Sequence, residues 1–323
     1  MTASIIIAVK TWQKNLEECV GKCLGLDYQD FEIIILPDGP IDNALLPVKA
    51  DVPIKVIPTG PLRPGKKRDK AINDARGEIL AIIDDDTYPR SDWLKNALKN
   101  FSDSDIAAVG GLAITPPEDS LMQKASGLIY SLPLVSGKFI YRYTPGKRQF
   151  VEDFPSCNFL VRKSIMQELG GFKTEFWPGE DTKLCLEITK KLKKKIVYDP
   201  QALVYHHRRA LFRPHLRQIA SYSLHRGYFV KRFPQTSRKI VYFLPSAFVI
   251  YLILGAFVAL FFAPIKILYI GSIFIYLILV LIFSFMAGLN LFVPVGIGII
   301  LTHLTYGIYF IKGQISKKLS EEQ

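Results

Sequence analysis

Apolar residues in the first 115 positions fall into short runs separated by helical stripes. Ser4-Ile5-Ile6-Ile7-Ala8-Val9, Phe31-Glu32-Ile33-Ile34-Ile35-Leu36 and Ile79-Leu80-Ala81-Ile82-Ile83 are near-continuous, as strands buried on both faces are. Residues 53–58 and 105–110 read as two further strands. Trp12, Leu16, Cys19, Val20 and Cys23 recur at helical spacing over residues 12–24. Residues 65–76 read as a second helix that Gly77 stops. Residues 91–101 read as a third, with Ser91 as its cap. This alternation predicts an α/β domain with a mostly parallel sheet covered on both faces.

Residues 116–147 change character. Leu121, Met122, Ala125, Leu128 and Ile129 give a helical apolar face, and Tyr130, Phe139, Tyr141 and Tyr143 add aromatics among Lys138, Arg142, Lys147 and Arg148. Two readings stand here: an amphipathic element at a membrane surface or over an acceptor, and a core helix with a loop. Cys157-Asn158-Phe159-Leu160-Val161 reads as a strand, and Ser164 to Gln167 as a capping box. A loop over 172–181 carries Trp177, Glu180 and Asp181. After it come a basic helix over 182–194, two short strands at 195–198 and 202–205, and His206-His207-Arg208-Arg209. Residues 213–232 form a basic amphipathic helix. Three apolar runs then follow, at about 241–263, 267–287 and 291–311, each as long as the roughly 20 residues a bilayer span needs. A soluble core would require polar faces that these runs lack.

The net charge of +12 over 323 residues admits nucleic acid as a partner. Its placement between residues 183 and 239, just ahead of the apolar region, fits anionic lipid better. Arg208, Arg209, Arg213, Arg217, Arg226, Lys231, Arg232, Arg238 and Lys239 precede the first span, which assigns that side to the cytoplasm. Three crossings would then put the C-terminal tail outside, against the weaker pull of Lys312, Lys317 and Lys318. Residues 1–9 run straight into a strand, without the pattern of a cleavable signal peptide. Cys19, Cys23, Cys157 and Cys185 complete no zinc pattern and read as buried free thiols.

The candidate chemistry sits where strands end. Asp84-Asp85-Asp86 follows the third apolar run and Asp38 follows the second; in a parallel sheet both lie on the ligand-binding edge. Three adjacent acids repel unless a cation offsets them, and a hard divalent ion with oxygen ligands does so. The plain alternative is a solvated acidic turn. Mg²⁺ usually shares substrate phosphates, so a nucleoside diphosphate is the expected ligand. Lys66 to Lys70 is either a solvated helix start or a phosphate contact through Lys67 or Arg68; cations at a helix N-terminus favour the latter. Asp181 is either an N-cap or a carboxylate that takes a proton from a hydroxyl. His206 and His207 offer a metal ligand or proton relay.

These motifs, in this order over residues 4–232, resemble the family 2 glycosyltransferases of GT-A fold. Asp38, Lys67-Arg68-Asp69 and Gly77-Glu78-Ile79-Leu80-Ala81 with Asp84-Asp85-Asp86 look like that family's nucleotide-sugar half, with the triplet similar to its DxD motif. The resemblance implies nucleotide-sugar contacts from Ala8, Asp38, Lys67, Arg68, Asp84 and Asp85. It implies Mg²⁺ or Mn²⁺ on Asp86 and His206, with His207 as the alternative register. Asp181 takes the role of catalytic base, and Asn158, Trp177, Glu180, Arg208 and Arg209 lie on the acceptor side. The Gln-x-x-Arg-Trp motif of processive members is absent, since Trp12, Trp93 and Trp177 do not follow Arg. Leu36-Pro37-Asp38-Gly39 departs from the commoner Asp-Asp-Gly-Ser.

The expected layout is a GT-A, Rossmann-like catalytic domain at 1–212, with a nucleotide-sugar half at 1–115 and an acceptor half at 116–212. An interface helix at 213–239, three transmembrane helices at 240–312 and a tail at 313–323 complete it. The expected activity is inverting, metal-dependent, non-processive transfer of one sugar to a lipid-linked or glycan acceptor at the cytoplasmic membrane face. The alternatives are synthesis of a polyprenyl-phosphate sugar and a non-catalytic nucleotide-binding membrane module. Spans almost free of charge argue against a transporter.

Overall fold

The computed structural model describes residues 1–47 and 51–322; the last residue of the expected tail, Gln323, lies outside them. Its contacts divide into two compact units, one comprising Met1–Ile114 and Tyr141–His207, the other Thr115–Ile140 and Arg208–Glu321. The segment 116–140, expected within an acceptor half, thus takes its contacts from the second unit.

The first unit is built on one nine-stranded sheet. Its strands are β1 (Ala3–Ala8), β2 (Phe31–Leu36), β3 (Ile54–Val56), β4 (Ile79–Asp84), β5 (Thr87–Pro89), β6 (Ile106–Ile114), β7 (Gln149–Val151), β8 (Asn158–Arg162) and β9 (Lys195–His206). The order is β3-β2-β1-β4-β8-β6-β9-β5, and β7 pairs with β9. β1, β2, β3, β4, β6 and β9 share one direction, whereas β5, β7 and β8 run against them. The unbroken apolar runs have a simple cause: both faces are covered. Ile5, Ile7, Ile33 and Ile35 pack with Leu16, Cys19 and Cys23 of the Lys14–Leu24 helix and with Trp93. Ile6 and Ile34, on the opposite face, pack with Ala71, Ile72 and Met166. All four cysteines are buried and none is in a disulfide.

Several local expectations are corrected. The Pro64–Asp74 helix ends at Ala75, before Gly77. Gly77 is instead where the chain passes against β1: a Cβ there would strike Ser4 N and the Ala3 backbone. Ser91 caps nothing; its Oγ donates to Asp27 Oδ2 at 2.9 Å, and Trp93–Leu98 starts from Asp92. Ser164 likewise forms no capping box, because the Lys163–Leu169 helix begins one residue earlier. Thr87-Tyr88-Pro89 is a short strand paired with β9. The two short strands at 195–205 are one strand, with register shifts against β6.

In the second unit, the Leu121–Tyr130 helix has a true capping box between Ser120 and Gln123. It buries Ala125 and Ile129 with Leu211, Val280, Val295 and Ile299, while Leu121 and Met122 stay exposed. The helix Arg213–Arg232 follows. Ile240–Ala259 and Ala263–Phe285 are long and apolar enough to cross a membrane, as is the helical stretch that opens with Leu289–Ile315. Lys266, which lies between the first two apolar runs, sits in the first turn of the second of these helices.

Candidate active site

Register brings the strand ends level. Ala8 lies beside Leu36 on one side and Asp84 on the other. β8 runs in the opposite sense and so begins at this edge, with Asn158 beside Ile83. β9 finishes there, with His206 opposite Thr87. One sheet edge thus gathers Asp38, the acidic triplet and His206.

The basic start of the Pro64–Asp74 helix is turned inward. Lys67 and Arg68 are each only 3% exposed, so the solvated reading fits Lys66, whose Nζ meets Glu175 at 2.7 Å in the open, and not these two. Lys67 Nζ donates to the carbonyls of Val9 and Leu36 and pairs with Asp38. It thereby pins the ends of β1 and β2 and orients Asp38. Arg68 Nη2 donates to Asp84 Oδ1 at 2.6 Å. Its Nη1 donates to Ser156 Oγ at 3.0 Å and lies 3.5 Å from Glu180 Oε1. A buried guanidinium requires such partners, and here they come from both the β4 end and the Glu180–Leu186 helix.

The three adjacent acids avoid mutual repulsion by turning to different elements. Asp84 takes Arg68, Asp85 accepts from Gln13 Nε2, and Asp86 Oδ1 lies 3.3 Å from His206 Nε2. His207 points elsewhere: its Nε2 meets Glu18 at 3.0 Å and its backbone N–H donates to the Asp86 carbonyl at 2.9 Å. The geometry therefore favours His206 over His207 as Asp86's partner. Among the described residues no group of three or more His, Cys, Asp or Glu side chains is placed to hold a metal ion. One carboxylate and one imidazole nevertheless fit a divalent cation that takes its remaining ligands from water and phosphate oxygens.

Asp181 is not an N-cap, because Gly179, at φ 122°, holds that position. Asp181 lies in the first turn, accepting from Thr182 N at 2.7 Å and from Ser156 N at 3.3 Å. Glu180 beside it is buried. Burial first, and the charge of Asp181 second, push its carboxyl up to about 8 against the opposing pull of Arg68.

Other expected site residues sit differently. Asn158 is wholly buried. Its Oδ1 accepts from Trp93 Nε1 at 2.8 Å, and its Nδ2 donates to the Leu112 and Ala202 carbonyls at 3.1 and 2.8 Å. It ties β8 to its neighbours, and an acceptor contact is corrected to this internal role. Trp177 is 52% exposed. Arg208 and Arg209 belong to the second unit, where Arg208 stacks over Tyr130 at 5.7 Å. Sequence reasoning missed Ser156, whose Oγ holds Arg68 while its N–H holds Asp181, and it missed Gln13. Asp69 accepts from Phe172 N at 2.7 Å. The only advance signal for Ser156 was its place two residues before β8.

Residues 4–170 match the profile of the family described as Glycosyl transferase family 2. A dolichyl N-acetyl-alpha-D-glucosaminyl phosphate 3-beta-D-2,3-diacetamido-2,3-dideoxy-beta-D-glucuronosyltransferase of Methanococcus voltae is 23% identical over 71% of this chain and 74% of its own length. A pre-mycofactocin glycosyltransferase of Mycobacterium tuberculosis is 26% identical over 68% of this chain, but that match spans only 45% of the relative. Among solved structures, the mannosyltransferase PcManGT from Pyrobaculum calidifontis, in complex with GDP-Man and Mn²⁺, superposes with a TM-score of 0.67 at 16% identity. That superposition covers 98% of this chain and 88% of the other. At that identity the likeness speaks for a common fold.

Proposed function

The chain belongs to glycosyl transferase family 2, and from that premise we propose that it moves one sugar from a nucleotide-sugar donor to a lipid-linked acceptor, with inversion, at the cytoplasmic face of a membrane. The carrying observation is the reach of Arg68, which joins Asp84 at the β4 end to Glu180, next to Asp181. Donor-side and acceptor-side groups then belong to one site. The Methanococcus relative's name, with its dolichyl phosphate-linked substrate, and three helices apolar enough to cross a membrane support a lipid-linked acceptor.

In this reading Asp38, oriented by Lys67, accepts hydrogen bonds from the base or ribose. Ala8 and Asp85 border the nucleotide, and Arg68 holds Asp84 facing the donor. Asp86 and His206 would hold Mg²⁺ or Mn²⁺, which would offset charge developing on the leaving diphosphate. Asp181 takes the proton from the acceptor hydroxyl, which attacks the anomeric carbon from the face opposite the leaving group. Asp181 sits in the first turn of its helix, the end at which the backbone dipole favours negative charge. Glu180, held neutral, adds no second negative charge there. Trp177 offers an exposed apolar face to the acceptor.

The test is nucleotide release from UDP-, GDP- and dTDP-sugars by purified full-length chain, with Mn²⁺, Mg²⁺ or EDTA and with lipid-linked acceptors. Release from one donor that EDTA and Asp86→Ala both abolish is the expected result. Turnover on polyprenyl phosphate alone would reassign the product to a lipid-monophosphate sugar. Absence of both release and metal-dependent donor binding would overturn the reading.

A further inference from the structure

The three apolar helices are alike in composition but not in surroundings. In Ile240–Ala259 and Ala263–Phe285, large side chains such as Ile253, Leu254, Phe257, Ile267 and Phe274 are more than half exposed. Leu289–Ile315 is instead clasped along one side by the rest of its unit. A Cβ on its Gly298 would meet Ile129 and Leu211, and His303 Nε2 lies 3.1 Å from the Leu134 carbonyl. Further along, Thr302 Oγ1 is 3.0 Å from His215 Nε2. Phe310 abuts Gly227, and Gly313 abuts Leu224. Lys231 Nζ donates to the Ser316 carbonyl at 2.7 Å, and His225 meets Glu321 at 3.2 Å.

These contacts advance together, from His215 with Thr302 to Lys231 with Ser316, so Leu289–Ile315 and Arg213–Arg232 run side by side. The companion carries Arg213, Arg217, Lys231 and Arg232 on exposed positions. Charged side chains are costly in the hydrocarbon core, so the companion stays outside it. A helix fastened along such a companion stays at the same depth. On its other side, Leu289, Val293, Ile297, Ile308 and Ile315 form an exposed apolar face, the kind that beds into the headgroup–acyl boundary.

We infer that this chain crosses the membrane twice and not three times. The hairpin Ile240–Ala259 with Ala263–Phe285 spans the bilayer, while Leu289–Ile315 lies within one leaflet's interface beside Arg213–Arg232. The partner of its exposed face is the lipid of that leaflet. Hairpin helices of 20 and 23 residues, at about 1.5 Å per residue, match a hydrocarbon core of about 30 Å. The arrangement also removes the conflict in the charges. Lys312, Lys317 and Lys318 fall on the same side as Arg213 and Arg217, as positive flanks on the cytoplasmic side do.

Single cysteines test this in the full-length chain, because the four native thiols are buried. Gln235→Cys, Ser320→Cys and Lys266→Cys occupy exposed positions. They would be treated with a membrane-impermeant maleimide in sealed vesicles of known orientation, with detergent-opened vesicles giving full labelling. Ser320→Cys should label from the same side as Gln235→Cys, and Lys266→Cys from the opposite side. Labelling of Ser320→Cys from the Lys266 side would overturn the inference by restoring a third crossing. Labelling of Lys266→Cys from the Gln235 side would overturn it by removing the first two. Neither readout depends on turnover.

Discussion

At the scale of single residues, the two neighbouring acids Glu180 and Asp181 divide between two tasks through their surroundings. Glu180 is buried beside Arg68, and Asp181 is partly open in the first helical turn. Asp181→Asn should lower transfer by about 10²–10⁴-fold, the usual contribution of a general base, and leave donor affinity unchanged by calorimetric titration. Equal loss of binding would deny it the role of base. Glu180 predicts a pH signature. With its carboxyl raised to about 8, the folded chain holds this proton more tightly than the unfolded chain. Its ionisation therefore opposes folding by an amount that is absent below about pH 4.5, grows with pH, and is complete above about pH 8. Glu180→Gln never ionises, so its melting temperature should gain on wild type between about pH 4.5 and about pH 8; a pH-independent difference would contradict the assignment. The acidic triplet was legible in the sequence because its members are adjacent. Their partners were not, because Gln13, Arg68 and His206 meet them only through the fold, and no local pattern marks a serine such as Ser156.

At the scale of elements, β1, β2 and β4 were legible within a residue or two, since strands buried on both faces leave unbroken apolar runs. β5 was not, because Pro89 obscures a three-residue edge strand that only β9 reveals. β9 itself was read as two strands, because Asp199-Pro200-Gln201 looks like a turn in a sequence that a neighbour holds extended. Gly77 shows the same limit. Its identity suggested a helix stop, whereas its function is close passage over β1. Gly77→Ala places a methyl against Ser4 N and the Ala3 backbone. It should cost about 1–3 kcal/mol, as overpacking does, seen as a lower melting temperature with unchanged pH dependence. A neutral substitution would mean that the β1 edge yields.

At the scale of the whole chain, composition alone exposed the change from a soluble-looking sheet unit to apolar helices. It could not separate a spanning helix from one fastened to a charged companion, since hydropathy does not register what a helix touches. An apolar hairpin should keep the protein in the membrane pellet through washes in high salt and alkaline carbonate, with release only by detergent. Release by carbonate would show surface attachment. The division into units also has a consequence for synthesis. Every strand of the first unit, and with it Asp38, the triplet, Asp181 and His206, is complete once His207 has been made. The first apolar helix begins only at Ile240. At ~5–20 residues per second, the intervening stretch gives the nascent sheet a lead on the order of seconds before membrane insertion starts. Thr115–Ile140 has no such lead, for the partners of Ile129 include Val295 and Ile299. It waits as an unfilled loop of a finished sheet until the last long helix is translated.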